Sequence, residues 1–217
     1  MLGLLSLVAS VSFSQTVSLE TNNLEALNTK LSIETLSGQR VVRVVKDPSV
    51  KNFDQPTFVR IRGTEFSNGT IRVKVLSRLL KDAPEMARGF IGIAFRITSD
   101  NSMFESFYLR PTNGRVDDSV RRSHALQYFS FPDFDFDRLR RETPGKYESH
   151  ADIGLNEWID MRIEVQGSQA KLFINDSTEP ALVVNDLKHG EHLSGKIGLW
   201  VDVGTEGFFK DLIVSQK

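Results

Sequence analysis

Hydrophobic and polar residues alternate with a period of two along most of this chain. Ile71, Val73 and Val75 are interleaved with Arg72, Lys74 and Leu76, and Ile91, Ile93 and Phe95 with Gly92, Ala94 and Arg96. The pattern returns at Ile159, Met161, Ile163 and Val165, set against Asp160, Arg162 and Glu164. It returns again at Ile197, Leu199, Val201 and Val203, set against Gly198, Trp200 and Asp202. Successive side chains of a strand point to opposite faces, so each set predicts a half-buried strand. Further strands are expected over 31–36, 41–46, 57–62, 104–110, 126–131, 171–174, 181–184 and 208–214. Ser37-Gly38, Asn68-Gly69, Asn113-Gly114, Gln166-Gly167-Ser168 and His189-Gly190 punctuate them as turns. Only 22–30 reads as a short helix. About a dozen strands without strand–helix alternation predict an all-β fold, two antiparallel sheets packed face to face as a jelly-roll sandwich.

Composition narrows this picture. A chain of 217 residues, 40% of them hydrophobic, has enough apolar material for one well-formed core. Its formal net charge of −1 provides no global field to draw in nucleic acid or an anionic membrane surface. The absence of cysteine excludes disulfides, thiolate metal sites and a cysteine nucleophile. At the N-terminus an apolar run from Leu2 to Val11 precedes Ser12-Phe13-Ser14, the small-residue pattern of a signal-peptide cleavage site, although no basic residue comes before the run. A signal peptide over 1–14, a single domain over 15–217 beginning at Gln15, and a secreted or periplasmic location are therefore expected. A disordered or core-packed N-terminal segment is the alternative. The run is too short to span a bilayer, which needs about 20 apolar residues.

Residues 104–148 differ in kind from the rest. All three tyrosines, Tyr108, Tyr128 and Tyr147, lie here. Between Asp82 and Gly145 there is no lysine, while arginine stands at 88, 96, 110, 115, 121, 122, 138, 140 and 141. Arginine is favoured where a flat guanidinium must bond carboxylates bidentately or stack on rings. Interleaved carboxylates such as Glu105, Asp117, Asp118, Asp133, Asp135, Asp137, Glu142 and Glu148 predict an ordered, ion-paired segment over one sheet. The same residues also suit the polar floor and rim of a ligand site.

Several stretches carry a resemblance. They are Arg88-Gly89-Phe90-Ile91-Gly92-Ile93-Ala94-Phe95-Arg96, Phe107-Tyr108-Leu109-Arg110-Pro111-Thr112-Asn113-Gly114-Arg115, Arg121-Arg122-Ser123-His124, Gln127-Tyr128, Leu139-Arg140-Arg141-Glu142, Pro144-Gly145-Lys146-Tyr147-Glu148 and Gly204-Thr205-Glu206-Gly207-Phe208-Phe209. Over roughly residues 60 to 215 the chain resembles secreted bacterial proteins of concanavalin A-like fold, related to laminarin-G-like lectins and the 3-keto-disaccharide hydrolase family. The resemblance implies a jelly roll, export and glycan handling, and it transfers no catalytic residue.

Motifs for specific chemistry are sparse. The Glu-x-Asp-x-Glu of jelly-roll β-glucanases, which places two carboxylates across a glycosidic bond, is absent. Asp133-Phe134-Asp135-Phe136-Asp137 has the spacing, but Arg138, Arg140 and Arg141 beside it favour the ionised form over a general acid. The run also starts like a calcium loop, yet it lacks the glycine at the sixth position and the glutamate at the twelfth, so no cofactor is implied. There is no Gly-x-Ser-x-Gly elbow. Tyr108, Arg110, Arg121 and Gln127 remain as candidate ligand-binding residues, with His124, Tyr128 and Glu148 as acid/base candidates. Two functions follow: a lectin-like module binding an oligo- or polysaccharide, or a glycan-active enzyme of 3-keto-glycoside hydrolase or lyase type. A structural interaction module is the third.

Overall fold

A computed structural model describes residues 13–216. In chain order the strands begin with β1 (Phe13–Thr16), β2 (Leu24–Leu27), β3 (Thr29–Leu36), β4 (Gln39–Lys46), β5 (Phe58–Phe66), β6 (Gly69–Leu79), β7 (Ile91–Ile97), β8 (Phe104–Leu109) and β9 (Leu126–Phe131). They continue with β10 (Glu148–Ser149), β11 (Ile159–Gln166), β12 (Gln169–Ile174), β13 (Leu182–Val184), β14 (Gly195–Val201) and β15 (Thr205–Gln216). Three short helices, α1 (Pro111–Gly114), α2 (Ser119–Arg122) and α3 (Phe136–Glu142), lie on either side of β9. One sheet runs β13-β12-β11-β6-β15-β4-β3 with β1 added alongside β15, and the other runs β10-β9-β8-β7-β14-β5-β2. Every pairing is antiparallel, giving the expected two-sheet jelly roll. The apolar Leu2–Val11 run lies outside the described residues, and the expected mature start at Gln15 falls within β1. No helix among the described residues is long and apolar enough to cross a membrane.

The expected helix over 22–30 is corrected by the structure. A single 3-10 turn (Thr21–Asn23) leads into β2, where Leu24 and Ala26 pair with Ile61 and Val59 of β5. Pairing at a sheet edge overrides the weak local helical pattern. Asn113-Gly114 likewise belongs to α1 rather than to a turn between strands.

The period-two stripe is buried in every set, but only β6 and β11 are half-buried as expected; β7 and β14 are corrected to strands buried on both faces. Ile91, Ile93, Leu199 and Val201 of one sheet and Ile71, Val73, Ile163 and Phe209 of the other are buried in one core. A side chain added at Gly207 would meet Val201 and Ile91, which shows how closely the sheets approach. Arg96 closes one end of the sandwich. It is wholly buried, and its guanidinium donates to the carbonyls of Ser67 (2.9 Å), Gly190 (2.8 Å) and Gly167 (2.8 Å), tying three loops together.

Less usual is the second face of the β7–β8 sheet, which is also buried. Phe58, Phe104, Tyr108, Phe129 and Trp200 form an aromatic layer there, with Tyr108 and Trp200 centroids 4.8 Å apart. Gly92 makes this contact: it sits between Trp200 and Tyr108 in the strand register, and a Cβ there would lie 2.6 Å from Tyr108 Cα. The loop before β5 and the α3 segment cover the layer. Phe53 packs edge-on against Phe90 and Phe136, and Trp200 Nε1 donates to Gln55 O at 2.9 Å. Gly92→Ala should therefore cost about 2 kcal/mol or more, because the obstacle is backbone. Denaturant unfolding of the variant measures this, and an unchanged midpoint would show that the layer is loosely packed.

Candidate functional site

At the edge of the aromatic layer the covering segments leave a cleft of about 340 Å³. Tyr108 and Phe90 lie at its base, and half-buried Phe53 and Phe136 form apolar walls. Arg88, Arg110, Arg121, Arg140 and His124 supply its polar lining, together with Asp54 and Asp202.

Arg110 organises the inner wall. It follows β8 directly, so alternation puts it on the same side as Tyr108. It is 5% exposed, and its guanidinium donates to Tyr108 Oη (2.7 Å), Gln127 Oε1 (3.1 Å), Glu148 Oε1 (3.1 Å) and the His124 carbonyl (3.1 Å). Glu148, from β10, also receives Arg140. Burial raises the Glu148 carboxyl, but Arg140 and Arg110 outweigh it and hold its pKa below the ordinary value. Glu148 is thus an ionised counter-ion to two guanidiniums. His124 Nε2 lies 3.6 Å from Glu148 Oε2, and burial lowers its pKa despite that carboxylate, so the imidazole in the cleft is neutral at neutral pH.

The structure brings together most of the residues expected from sequence. Tyr108, Arg110, Arg121 and His124 line the cleft; Gln127 and Glu148 stand behind Arg110 and position it. Tyr128 does not join them. It neighbours Gln127 on β9 and therefore faces the opposite side, where its ring packs 5.5 Å from Phe107 and its hydroxyl donates to Glu105. Burial and the Glu105 carboxylate push the Tyr128 phenol well above its ordinary pKa. The Asp133–Asp137 run is divided among structural tasks. Asp135 caps α3 through the Arg138 N–H (2.8 Å), Asp137 pairs with Arg141 (2.6 Å), and Asp133 takes a left-handed turn. Arg138, Arg140 and Arg141 pair with Glu142, Glu148 and Asp137 of the interleaved stretch, whereas Arg115 pairs with Asp152 and Glu157 beyond it and Asp118 caps α2.

Two carboxylates of the cleft were not singled out from sequence. Asp202 is buried and receives Lys46, whose ammonium also donates to Asn52 O at 2.7 Å. Asp54, in the loop before β5, accepts the Phe136 N–H (2.7 Å), and its own N–H donates to Asp202 (3.0 Å). Burial, followed by the charge of Asp202, raises the Asp54 carboxyl to about 7. Asp202 had a legible signal: it continues the Gly198–Trp200 side of the alternation, the face on which the cleft lies. Asp54 had none, since only the tertiary fold lowers its loop onto that face.

A carboxyl raised on folding stabilises the folded state fully below its unfolded pKa and loses that contribution as pH rises through about 7. Asp54→Asn should accordingly gain stability on the wild type by about 2–3 kcal/mol between pH 5 and pH 8. Denaturant unfolding at the two pH values checks this, and a constant difference would rule out an Asp54 proton as its source. Arg110→Lys keeps one charge but strands several buried acceptors, so it should cost about 2–3 kcal/mol. Thermal or denaturant unfolding reads that loss.

No family model and no curated protein sequence matches the chain. Solved structures do. A carbohydrate-binding module from Bacillus subtilis aligns with a TM-score of 0.58 at 12% identity, covering 88% of this chain and 95% of the module. A prokaryotic β-1,3-1,4-glucanase (lichenase) derived from a mouse hindgut metagenome aligns at 0.53 and 12% identity, covering 95% and 99% of the two chains. A glycosidic hydrolase aligns at 0.51 and 10% identity, covering 97% of each. At such identities the likeness is one of fold, and the chain has the jelly-roll fold found in carbohydrate-binding modules and β-glucanases.

Proposed function

We propose that this protein binds a glycan in the cleft between Phe53, Phe136 and Arg110, outside the cytoplasm as the N-terminal apolar run leads one to expect. The observation that carries this reading is the pairing of aromatic walls with oriented donors in one partly enclosed site. A sugar has an apolar ring face and an edge of hydroxyls. Phe53 and Phe136, with rings 5.9 Å apart and nearly perpendicular, offer surfaces for the first, and the arginines and His124 offer donors for the second. The neighbouring structures named above, a carbohydrate-binding module and glycoside hydrolases among them, are consistent with such a role on this fold.

One observation favours an enzyme as the second reading. Asp54, poised near neutrality beside buried Asp202, is a carboxyl able to hold a proton at working pH, the property required of a general acid. Glu148, locked between Arg110 and Arg140, is unsuited to that task and would keep its positioning role.

Calorimetric titration with a panel of oligosaccharides and their 3-keto forms, run beside an assay for released reducing sugar, separates the readings. Phe53→Ala and Phe136→Ala should each weaken binding by roughly tenfold while the protein stays folded. Turnover that disappears in Asp54→Asn with binding retained selects the enzyme; binding without product in the wild type selects the lectin-like module. Unaltered affinity in both phenylalanine variants would move the site elsewhere.

A further inference from the structure

The four arginines of the cleft are not equivalent. Arg110 and Arg140 share the Glu148 carboxylate, whereas Arg88 and Arg121 are in ion-pair contact with no carboxylate among the described residues. Among the described residues, the Arg88 guanidinium donates only to the backbone carbonyls of Glu85 and Ala87. Among the described residues, the Arg121 guanidinium makes one side-chain hydrogen bond, to Asn113 Oδ1 at 3.3 Å, and its buried Nε has no partner. Burial, and after it the charge of Arg121, holds the Arg88 guanidinium below its ordinary pKa; Glu85 opposes this, and Arg110 adds to it. Two half-buried guanidiniums that repel one another, in a protein whose net charge is only −1, are a local excess of positive charge facing a cleft. The acidic side offsets it incompletely: Lys46 already neutralises Asp202, and Asp54 is only partly ionised at neutral pH.

We infer that the cleft takes an acidic sugar, a carboxylate- or sulfate-bearing residue whose anionic group sits between Arg88 and Arg121. Planar guanidiniums bond both groups with two parallel N–H donors, and an anion there would relieve the repulsion. The sugar part of this inference rests on the glycan reading above; the charge part rests on the two arginines alone.

The test has two arms on the full chain. In the first, thermal unfolding is followed in sodium sulfate and in sodium chloride at equal ionic strength; sulfate stabilises any folded chain through its exclusion from the surface, so the specific effect is the extra rise of the wild-type midpoint over that of Arg88→Gln and Arg121→Gln. In the second, binding is measured for an oligogalacturonate and its carboxyl-reduced form, and for a sulfated galacto-oligosaccharide and its desulfated form. The acidic member of one pair should bind roughly tenfold or more tighter than its neutral match, with the difference lost in both variants and reduced by salt. Which pair discriminates identifies the anionic group. Neutral and acidic members binding alike, with no specific sulfate effect, would overturn the inference and leave the glycan reading standing. A sulfate effect that depends on Arg88 and Arg121, with none of the four oligosaccharides bound, would keep the anion site and overturn its sugar part. Wild-type protein supplies the matched-pair results even if a variant fails to fold.

Discussion

A guanidinium cannot be buried unless its donors find acceptors, and Arg110 imposes that requirement on everything around the cleft. At 5% exposure it draws acceptors from β8, β9, β10 and the segment before β9. Removing one partner of such a buried pair costs about 3–5 kcal/mol, because an uncompensated charge is left behind. Tyr108, Gln127 and Glu148 are thereby fixed in place, and Arg140 is drawn onto the same carboxylate, which brings α3 down over the sheet. With Glu148 occupied, Arg88 and Arg121 are left facing the cleft with no carboxylate in ion-pair contact among the described residues.

A second constraint shapes the same region from below. Gly92 and Ala94 carry almost nothing on the face where Tyr108, Phe129 and Trp200 meet, so large rings close over them and the face becomes a second core. Once that face is filled, a long open groove across the sheet gives way to a compact cleft at its edge, walled by Phe53 and Phe136.

Electrostatics then divides labour among chemically similar groups. Glu148, Asp202 and Asp54 are all buried carboxyls, yet two guanidiniums keep Glu148 ionised, burial raises Asp202 despite its Lys46 partner, and Asp54, with no cation in ion-pair contact among the described residues, rises to about 7. Residue type alone cannot make this distinction. Environment makes it, through the balance of desolvation and neighbouring charge.

The sequence by itself determined the two-sheet sandwich, because alternation with period two is a local consequence of strand geometry; it is clear in β6 and β11 and marks the core-facing side of β7 and β14. It also marked the segment that supplies much of the cleft lining, since an arginine-for-lysine bias is visible without coordinates. Only the tertiary structure decided the rest. Residues 21–27 became a turn and a strand because β5 offered a partner, and α1, α2 and α3 are too short for a helical period to show. Gln127 and Tyr128, adjacent in the chain, were parted to opposite faces of β9. Asp54 entered the cleft through packing of a loop that has no period of its own. Local pattern reports which face a residue takes, but burial, charge compensation and the choice of partner depend on residues far apart in the chain, and those meet only once the sheets have packed.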